Sequence, residues 1–297
     1  MSSTEVVDVV RPSGKVERAR PPVTAHGPAA FVARAGAAFL DLVEWRRLVW
    51  RLTRAELRRE NARLVLGSLW WVADPLLQML VYTILIGVIL DRSFDDYPLF
   101  VLSALMAWKG VSSTMSSACL AVTGNERIVR QLAFPRIVLP VARVGAQSWR
   151  LALALVVLLV LIALIWPDRL TPALAWLPIL MLAQVVLMLP FAIILSAATV
   201  FVRDLANLVR HLLRMALYLS PVLYGYEDAI DRLPGPIADA YRVNPIAVLL
   251  DGYRSVAYDG RAPSAVSLLL PIGVGLVLLT PALAWFYARE PRFGKLL

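Results

Sequence analysis

Along the chain, apolar positions gather into runs of about 20 residues or more, separated by short charged turns. A hydrocarbon core of about 30 Å takes roughly 20 residues of helix to cross. Backbone groups bared to lipid are too costly for an irregular crossing. The runs therefore predict six bilayer-spanning helices, at about 69–90, 97–118, 137–166, 173–202, 208–224 and 266–287. Between the last two, 225–265 is too polar and too broken by Pro234, Pro236 and Pro245 for a full crossing. Its stretch VNPIAVLLDGYRSVAY is apolar enough to dip in from one side; a cap lying on the surface is the alternative. Ahead of the first run, 44–68 has a helical period. Trp45, Leu48, Val49 and Leu52 share one face, and Arg46, Arg47, Arg51, Arg54 and Arg58 lie mostly off it. That pattern suits an amphipathic helix in the membrane interface, against the plainer reading of a solvated helix. Residues 1–43, with Pro12, Pro21, Pro22, Pro28 and scattered charge, lack the apolar stretch of a signal peptide and read as a largely disordered tail. Residues 288–297 read as a second, short tail.

Charge gives the runs a direction. Of the lysines and arginines near the spans, 18 fall on the side that holds both termini and 6 on the other. Basic residues stay on the cytoplasmic side, so both termini are expected there, in a multi-pass protein of a bacterial cytoplasmic membrane. The 297 residues are 59% hydrophobic, with net charge +9. Since the basic residues cluster between spans, membrane lipid explains the charge better than nucleic acid does. The single cysteine, Cys119, excludes an intrachain disulfide, and His26 and His211 stand too far apart to suggest a metal site. Within the spans, only Lys109 lies near mid-depth. Ion-coupled carriers commonly bury acidic or histidine relays there, and none is seen. Gly14-Lys15 and Gly294-Lys295 are followed by Val16 and Leu296, so neither is a phosphate loop. No catalytic, metal or cofactor-binding residue is assigned. A driven transporter built on this chain would take its energy, with ATP and magnesium, from a partner subunit.

Four segments, in order, carry a family likeness. RAELRRENARLVLGSLWWVADPLLQMLVYTILIGVIL (54–90) holds a basic helix, then Leu66, Gly67 and Trp70, then Pro75, Leu76 and Tyr82. It is followed by VRQLAFPRIVLPVA (129–142), VRDLANLVRHLLRMALYLSPVLYGYE (202–227) and NPIAVLLDGYRSVAYDG (244–260). Together they resemble the ABC-2 exporter permeases of O-antigen, teichoic acid and cell-wall glycans. The resemblance implies an all-α polytopic fold and a homodimer working with two separate ABC ATPase subunits. It implies a lipid-linked polysaccharide as cargo, of O-antigen, teichoic acid or cell-wall galactan type. It also implies that the basic helix, through Arg54 and Arg58, and the loop 119–136, through Asn125, Glu126, Arg127, Arg130, Phe134, Pro135 and Arg136, touch the ATPase. Without the family these are loop charges that set topology. It further implies re-entrant gate helices at 225–265, with Asn244, Pro245, Tyr253 and Arg254 as gate residues.

Sugar C–H faces stack on aromatic rings, which makes Trp70, Trp71, Tyr82, Trp108, Tyr218 and Tyr224 candidates for a glycan path. Interfacial belting is the competing reading, and it suits Trp166, Trp176 and Trp285 well. Lys109 joins the path candidates. A cation at that depth needs a wet pore or a partner; it would hold a lipid diphosphate or snorkel along its own helix. Two other functions stay open: export of a small hydrophobic drug or lipid, and a membrane-embedded glycosyl or phosphoglycosyl transferase. The transferase would need clustered carboxylates, and Asp91, Asp95 and Asp96 form the one dense group.

Overall fold

A computed structural model describes residues 8–10, 16–18, 44–61, 70–89, 95–132 and 134–297. Most of the expected N-terminal tail, Leu66 and Gly67 of the family segment, and Asp91 of the acidic turn lie outside the described residues. Within the tail, β1 (Asp8–Val10) pairs antiparallel with β2 (Val16–Arg18), with Val9 opposite Glu17. Every other described element is helical.

The basic helix is α1 (Arg46–Asn61). The first apolar run is α2 (Trp70–Thr83), extended by a π-helical stretch, Ile84–Ile89. Then come α3 (Tyr97–Cys119), the short α4 (Glu126–Gln131), α5 (Val138–Ile165) and α6 (Leu177–Phe201). They are followed by α7 (Leu205–Leu219), α8 (Tyr226–Arg232), α9 (Gly235–Arg242), α10 (Pro245–Ala257) and α11 (Ala265–Leu296). Among the described residues, four helical stretches are long and apolar enough to cross a membrane: Trp70–Gly87, Val138–Ile165, Pro172–Phe201 and Ala265–Gly294.

Two expected spans fall outside that set, for different reasons. Helix α3 has the length, but Lys109 and five hydroxyls between Ser112 and Ser117 lower its apolarity. It is nevertheless the most buried helix, with Leu99, Val101, Leu102, Leu105 and Ala107 wholly enclosed. Its hydroxyls turn back onto their own helix: Thr114 Oγ1 donates to Gly110 O at 2.6 Å and Ser117 Oγ to Thr114 O at 3.1 Å. A hydroxyl satisfied in this way can pack against another helix without water. Helix α7 is short instead. Its 15 residues rise about 22 Å. It stops at Leu219, before the expected end at 224, because the residue before a proline disfavours helical backbone and Ser220 precedes Pro221.

Helix direction alternates. The turn before α3, the turn after α5 and the end of α10 meet at one end of the bundle. There Arg169 pairs with Asp96 at 3.0 Å, and the Tyr258 hydroxyl donates to Asp95 O at 2.8 Å. At the opposite end the loop after α3, the start of α5 and the ends of α6 and α11 share one apolar cluster: Val122, Val129, Ile137, Val200, Phe286, Phe293 and Leu297. The stretch expected as a C-terminal tail therefore continues α11 and is packed. Close backbone approach is set by glycine at two crossings. A Cβ at Gly275 of α11 would lie 2.5 Å from Val186 O of α6, and one at Gly110 of α3 would lie 2.5 Å from Gln184 Nε2. Gln184 uses that space to donate to Ala107 O at 3.0 Å.

Candidate functional site

At the end of the bundle that holds the chain's C-terminus, α3 is followed by a turn, Thr123–Asn125, and then α4. Asn125 Nδ2 donates to Ala121 O at 2.8 Å and ties that turn to the end of α3. Helix α4 is two-faced. Val129 is buried in the apolar cluster, while Glu126, Arg127 and Arg130 are exposed. Glu126 and Arg130 pair with each other at 2.8 Å along the outer face. Leu120 and Leu132, more than half exposed, flank that face. Glu126, Arg127 and Arg130 thus form a charged strip between two exposed leucines. Phe134 packs against the same cluster from the loop that follows. Arg136 then fixes the loop to α11: its backbone N–H donates to Glu290 Oε1 at 2.8 Å and its guanidinium to Glu290 O at 2.5 Å.

Helix α1 does not lie apart from the bundle. Its inner face packs on the start of α5, where the Thr53 hydroxyl donates to Ala142 O at 3.3 Å and Glu56 pairs with Arg143. Both side chains of that pair are about 90% buried. Arg143 also reaches the α4 side, since a Cβ at Gly124 would sit 3.7 Å from an Arg143 guanidinium nitrogen. Arg143 thus stands between α1 and the turn leading into α4. Arg54 and Arg58 face outward, with Arg54 stacked 5.1 Å from the Trp50 ring. The Arg143–Glu56 pair is absent from the sequence reading. The signal for it was available: an arginine inside a span needs an acidic partner, and Glu56 is one of three acids in 44–61.

The aromatic candidates separate. Trp70, Trp71 and Lys109 line a cleft of about 280 Å³ between α2, α3 and α5, together with Asp74, Ser113 and Arg150. Lys109 pairs with Asp74, so its partner is a carboxylate one helix away. The Arg150 guanidinium lies 4.0 Å over the Trp71 ring and donates to Gln147 at 3.2 Å. Trp108 is 96% buried in the main core and does not line that cleft. Tyr82 is buried as well and lies beside Tyr218, which is largely exposed on α7. The Tyr224 hydroxyl bonds Tyr218 O at 3.3 Å and approaches the Tyr241 hydroxyl at 3.5 Å.

At the other end, the Asn244 side chain caps α10, accepting from the Ile246 N–H at 3.0 Å, and Pro245 opens the helix. Asparagine at the cap and proline at the first position make a firm helix start. Helix α10 is wedged among α3, α6 and α11 with Val248, Leu249, Leu250, Tyr253 and Val256 buried, so it is no surface cap. Arg254 projects from it into the chain that follows α7. It donates to Pro221 O at 2.7 Å, Val222 O at 3.0 Å and Tyr224 O at 3.0 Å, and its guanidinium lies 3.7 Å over the Phe100 ring. The Tyr97 hydroxyl adds a bond to Leu223 O at 3.1 Å. The peptide carbonyls freed where α7 stops are thus satisfied by α3 and α10. Asp251, on the same helix and outside the spans, is pushed up to about 6 by burial; Asp259 and Glu227 add to the shift, and Arg254 and Arg261 oppose it. Asp96, at the mouth of α3, is held by Arg169 and by the Trp166 indole at 3.0 Å. Asp96 of the acidic turn thus has a basic partner and serves as a structural anchor.

Residues 47–258 match the ABC-2 type transporter family. Among curated proteins, the chain is 29% identical over 255 residues to the O-antigen export system permease protein RfbA of Myxococcus xanthus, covering 86% of this chain and 97% of that protein. It is 27% identical over 249 residues to the protein of the same name from Klebsiella pneumoniae, covering 83% and 93%.

Proposed function

Because the chain belongs to the ABC-2 type transporter family, we propose that it is the membrane-spanning subunit of an ATP-driven exporter of a lipid-linked polysaccharide. The carrying observation is likeness to O-antigen export permeases over nearly their whole length. The subunit is not itself an enzyme, and ATP hydrolysis belongs to a separate nucleotide-binding subunit. We place the protein in a bacterial cytoplasmic membrane as a homodimer served by two such ATPases. Two apolar faces left uncovered among the described residues support a second copy or lipid there: Leu77, Leu80 and Val81 on α2 with Ile84 just after it, and Leu208, Leu212, Met215 and Leu219 on α7.

The coupling surface in this reading is the outer face of α4 with Glu126, Arg127 and Arg130, alongside Arg54 and Arg58 of α1. Val129 and Phe134 root α4 in the same cluster as the ends of α6 and α11. A push on α4 therefore moves the bundle end rather than bending a loop. At the far end, Asn244, Pro245, Tyr253 and Arg254 hold α10 and the chain after α7 as one unit, which suits a gate. Trp70, Trp71, Tyr218 and Tyr224 remain the aromatic candidates for the sugar path.

The test is depletion of the protein in its native cell, followed by analysis of lipid-linked glycans. The expected result is accumulation of one such glycan on the cytoplasmic leaflet, with the surface polymer lost. Normal surface polymer and no accumulation would rule the reading out. For the coupling surface, Glu126→Lys should leave insertion and folding intact, because an exposed ion pair is worth only about 0–1 kcal/mol. It should weaken co-purification of the ATPase and stop export; unchanged export with the ATPase still bound removes α4 from the coupling role.

A further inference from the structure

Between α3, α5 and α6 lies a small cavity of about 10 Å³, lined by Gly110, Thr114, Gln147, Ser148 and Gln184 among apolar neighbours. Gln184 is only 2% exposed. Its amide N–H donates to Ala107 O at 3.0 Å, which fixes the orientation of the amide. Its Oε1 is enclosed and has no partner among the described residues. An enclosed oxygen left unbonded is costly. The groups around it offer what one water needs. Thr114 Oγ1 already donates to Gly110 O and Ser148 Oγ to Val144 O, so both hydroxyls keep lone pairs to accept with. Gln147 Oε1 accepts from Arg150 at 3.2 Å, and the Gln147 amide N–H groups remain as donors. A water that donates to Gln184 Oε1 and to one hydroxyl, and accepts from Gln147, makes about three bonds, the usual number for a buried water. The cavity volume is that of about one such molecule.

Gly110, Gln147 and Leu151 also line the larger cleft between α2, α3 and α5, so cavity and cleft adjoin. The cleft adds the hydroxyls of Ser112, Ser113 and Ser116. It also holds the Lys109–Asp74 pair, whose side chains are 33% and 52% exposed. By helix rise, Ser113 lies about 9 Å and Lys109 about 15 Å from the end of α3. On the reading of α3 as a span, which this inference rests on, an ion pair so open at that depth needs water around it rather than hydrocarbon. We infer that water fills the cleft and continues inward to a single bound molecule at Gln184 Oε1. The polar lining then has a solvent throughout, and the innermost water joins α3, α5 and α6 at their crossing. Lipid tails in the cleft would leave both the ion pair and Gln184 without one.

The full-length protein in phosphatidylcholine nanodiscs, which leave both faces open, tests this in two ways. On a Cys119→Ala background, Ser113→Cys is compared with Val156→Cys, whose side chain is 55% exposed on the apolar face of α5. The probe is a charged trimethylammonium thiosulfonate, which needs a hydrated thiolate. Ser113→Cys should react about tenfold faster or more, because water reaches it and does not reach Val156. Equally slow reaction at both positions would mean lipid in the cleft and overturns the inference. Fast reaction at Val156→Cys would remove the span premise itself. The inner water is read by water-edited solid-state NMR on glutamine-labelled protein, with the Gln184 amide assigned by its loss in Gln184→Met. Transfer from water to Gln184 is expected in the wild type. Ser148→Leu, which fills the cavity, should cut that transfer about fivefold and leave the exposed Gln131 unchanged. No transfer to Gln184 in the wild type overturns the bound water, whether or not the variant folds, and so does equal transfer in a folded Ser148→Leu. None of these readouts depends on export, which the depletion experiment tests separately.

Discussion

Arg143 and Glu56 show what a single buried charge does in this protein. The pair joins α1 to α5 with both side chains about 90% buried. Removing one partner of such a pair leaves an uncompensated charge and costs about 3–5 kcal/mol, whereas replacing both by apolar groups is often neutral. Glu56→Gln alone should therefore lower the thermal midpoint in detergent clearly, and Glu56→Leu with Arg143→Met should recover most of the loss. A double variant no better than the single one would mean that the charges hold more than each other. Asp251 acts through pH instead. Its pKa rises from an unfolded value near 4 to about 6 in the fold, so between those values the folded state binds the extra proton. Its contribution is fully present below about pH 4 and is lost as pH rises through 6, an effect on the order of 3 kcal/mol. On going from pH 4.5 to 7, the unfolding midpoint of the wild type should therefore fall relative to that of Asp251→Asn. Equal pH slopes in the two proteins would contradict this.

At the scale of elements, the end of α11 belongs to the bundle end that carries α4 rather than to a tail. Phe293 is fully buried, edge-on to Phe286 at 5.4 Å and to Phe201 at 6.2 Å. Phe293→Ala should cost about 3–5 kcal/mol through the cavity it leaves. It should also lower ATPase-driven export more than a loss of equal size placed at the far end of the bundle, because Val129 of α4 rests on the same cluster. Matched thermal midpoints with unequal export would show the difference. This segment also marks the limit of what the sequence discloses. Runs of apolar residues give helices α2, α3, α5, α6 and α11 their places, since period and length carry that signal. The packing of 288–297 does not register, because Arg289, Glu290 and Arg292 read as solvent-exposed charge while Phe286, Phe293 and Leu297 recur too sparsely to form a run. Lys109 was legible as a cation in need of a partner. Asp74 was not legible as that partner, because pairing across helices depends on how α2 and α3 are rotated. The same holds for Arg254: the sequence offers it as a gate residue, but its three carbonyl partners exist only because α7 ends early at Ser220-Pro221.

For the whole molecule, the open quantity is how many times the chain crosses. Length and apolarity alone support four crossings among the described residues. The contacts argue for two more. Helix α3 begins beside Arg169 and Tyr258 and ends beside Ile137 and Val200, so it runs the full height of the bundle as α5 and α6 do. Helix α7 starts a few residues after α6 ends and delivers Leu223 to the Tyr97 hydroxyl at the opposite end. On the six-crossing arrangement we propose, with α3 and α7 counted, Gly124 lies on the side of the C-terminus and Asp239 on the other. Both positions are exposed, so a cysteine at either is open to a thiol reagent. Native background is low because Cys119 is fully buried. In intact cells, a membrane-impermeant maleimide should label Asp239→Cys and leave Gly124→Cys untouched, and both should react once the membrane is opened. Labelling of Gly124→Cys from outside would put α4 on the wrong side for an ATPase. A four-span chain that leaves out both α3 and α7 still keeps the two termini together and reverses only the segments between. The decisive comparison is therefore among Gly124, Asp239 and a cysteine at Asp168, which follows α5. In the six-span arrangement Asp168 labels with Asp239 and against Gly124. If α3 fails to cross while α7 still does, Gly124 and Asp168 instead label oppositely to the pattern expected here.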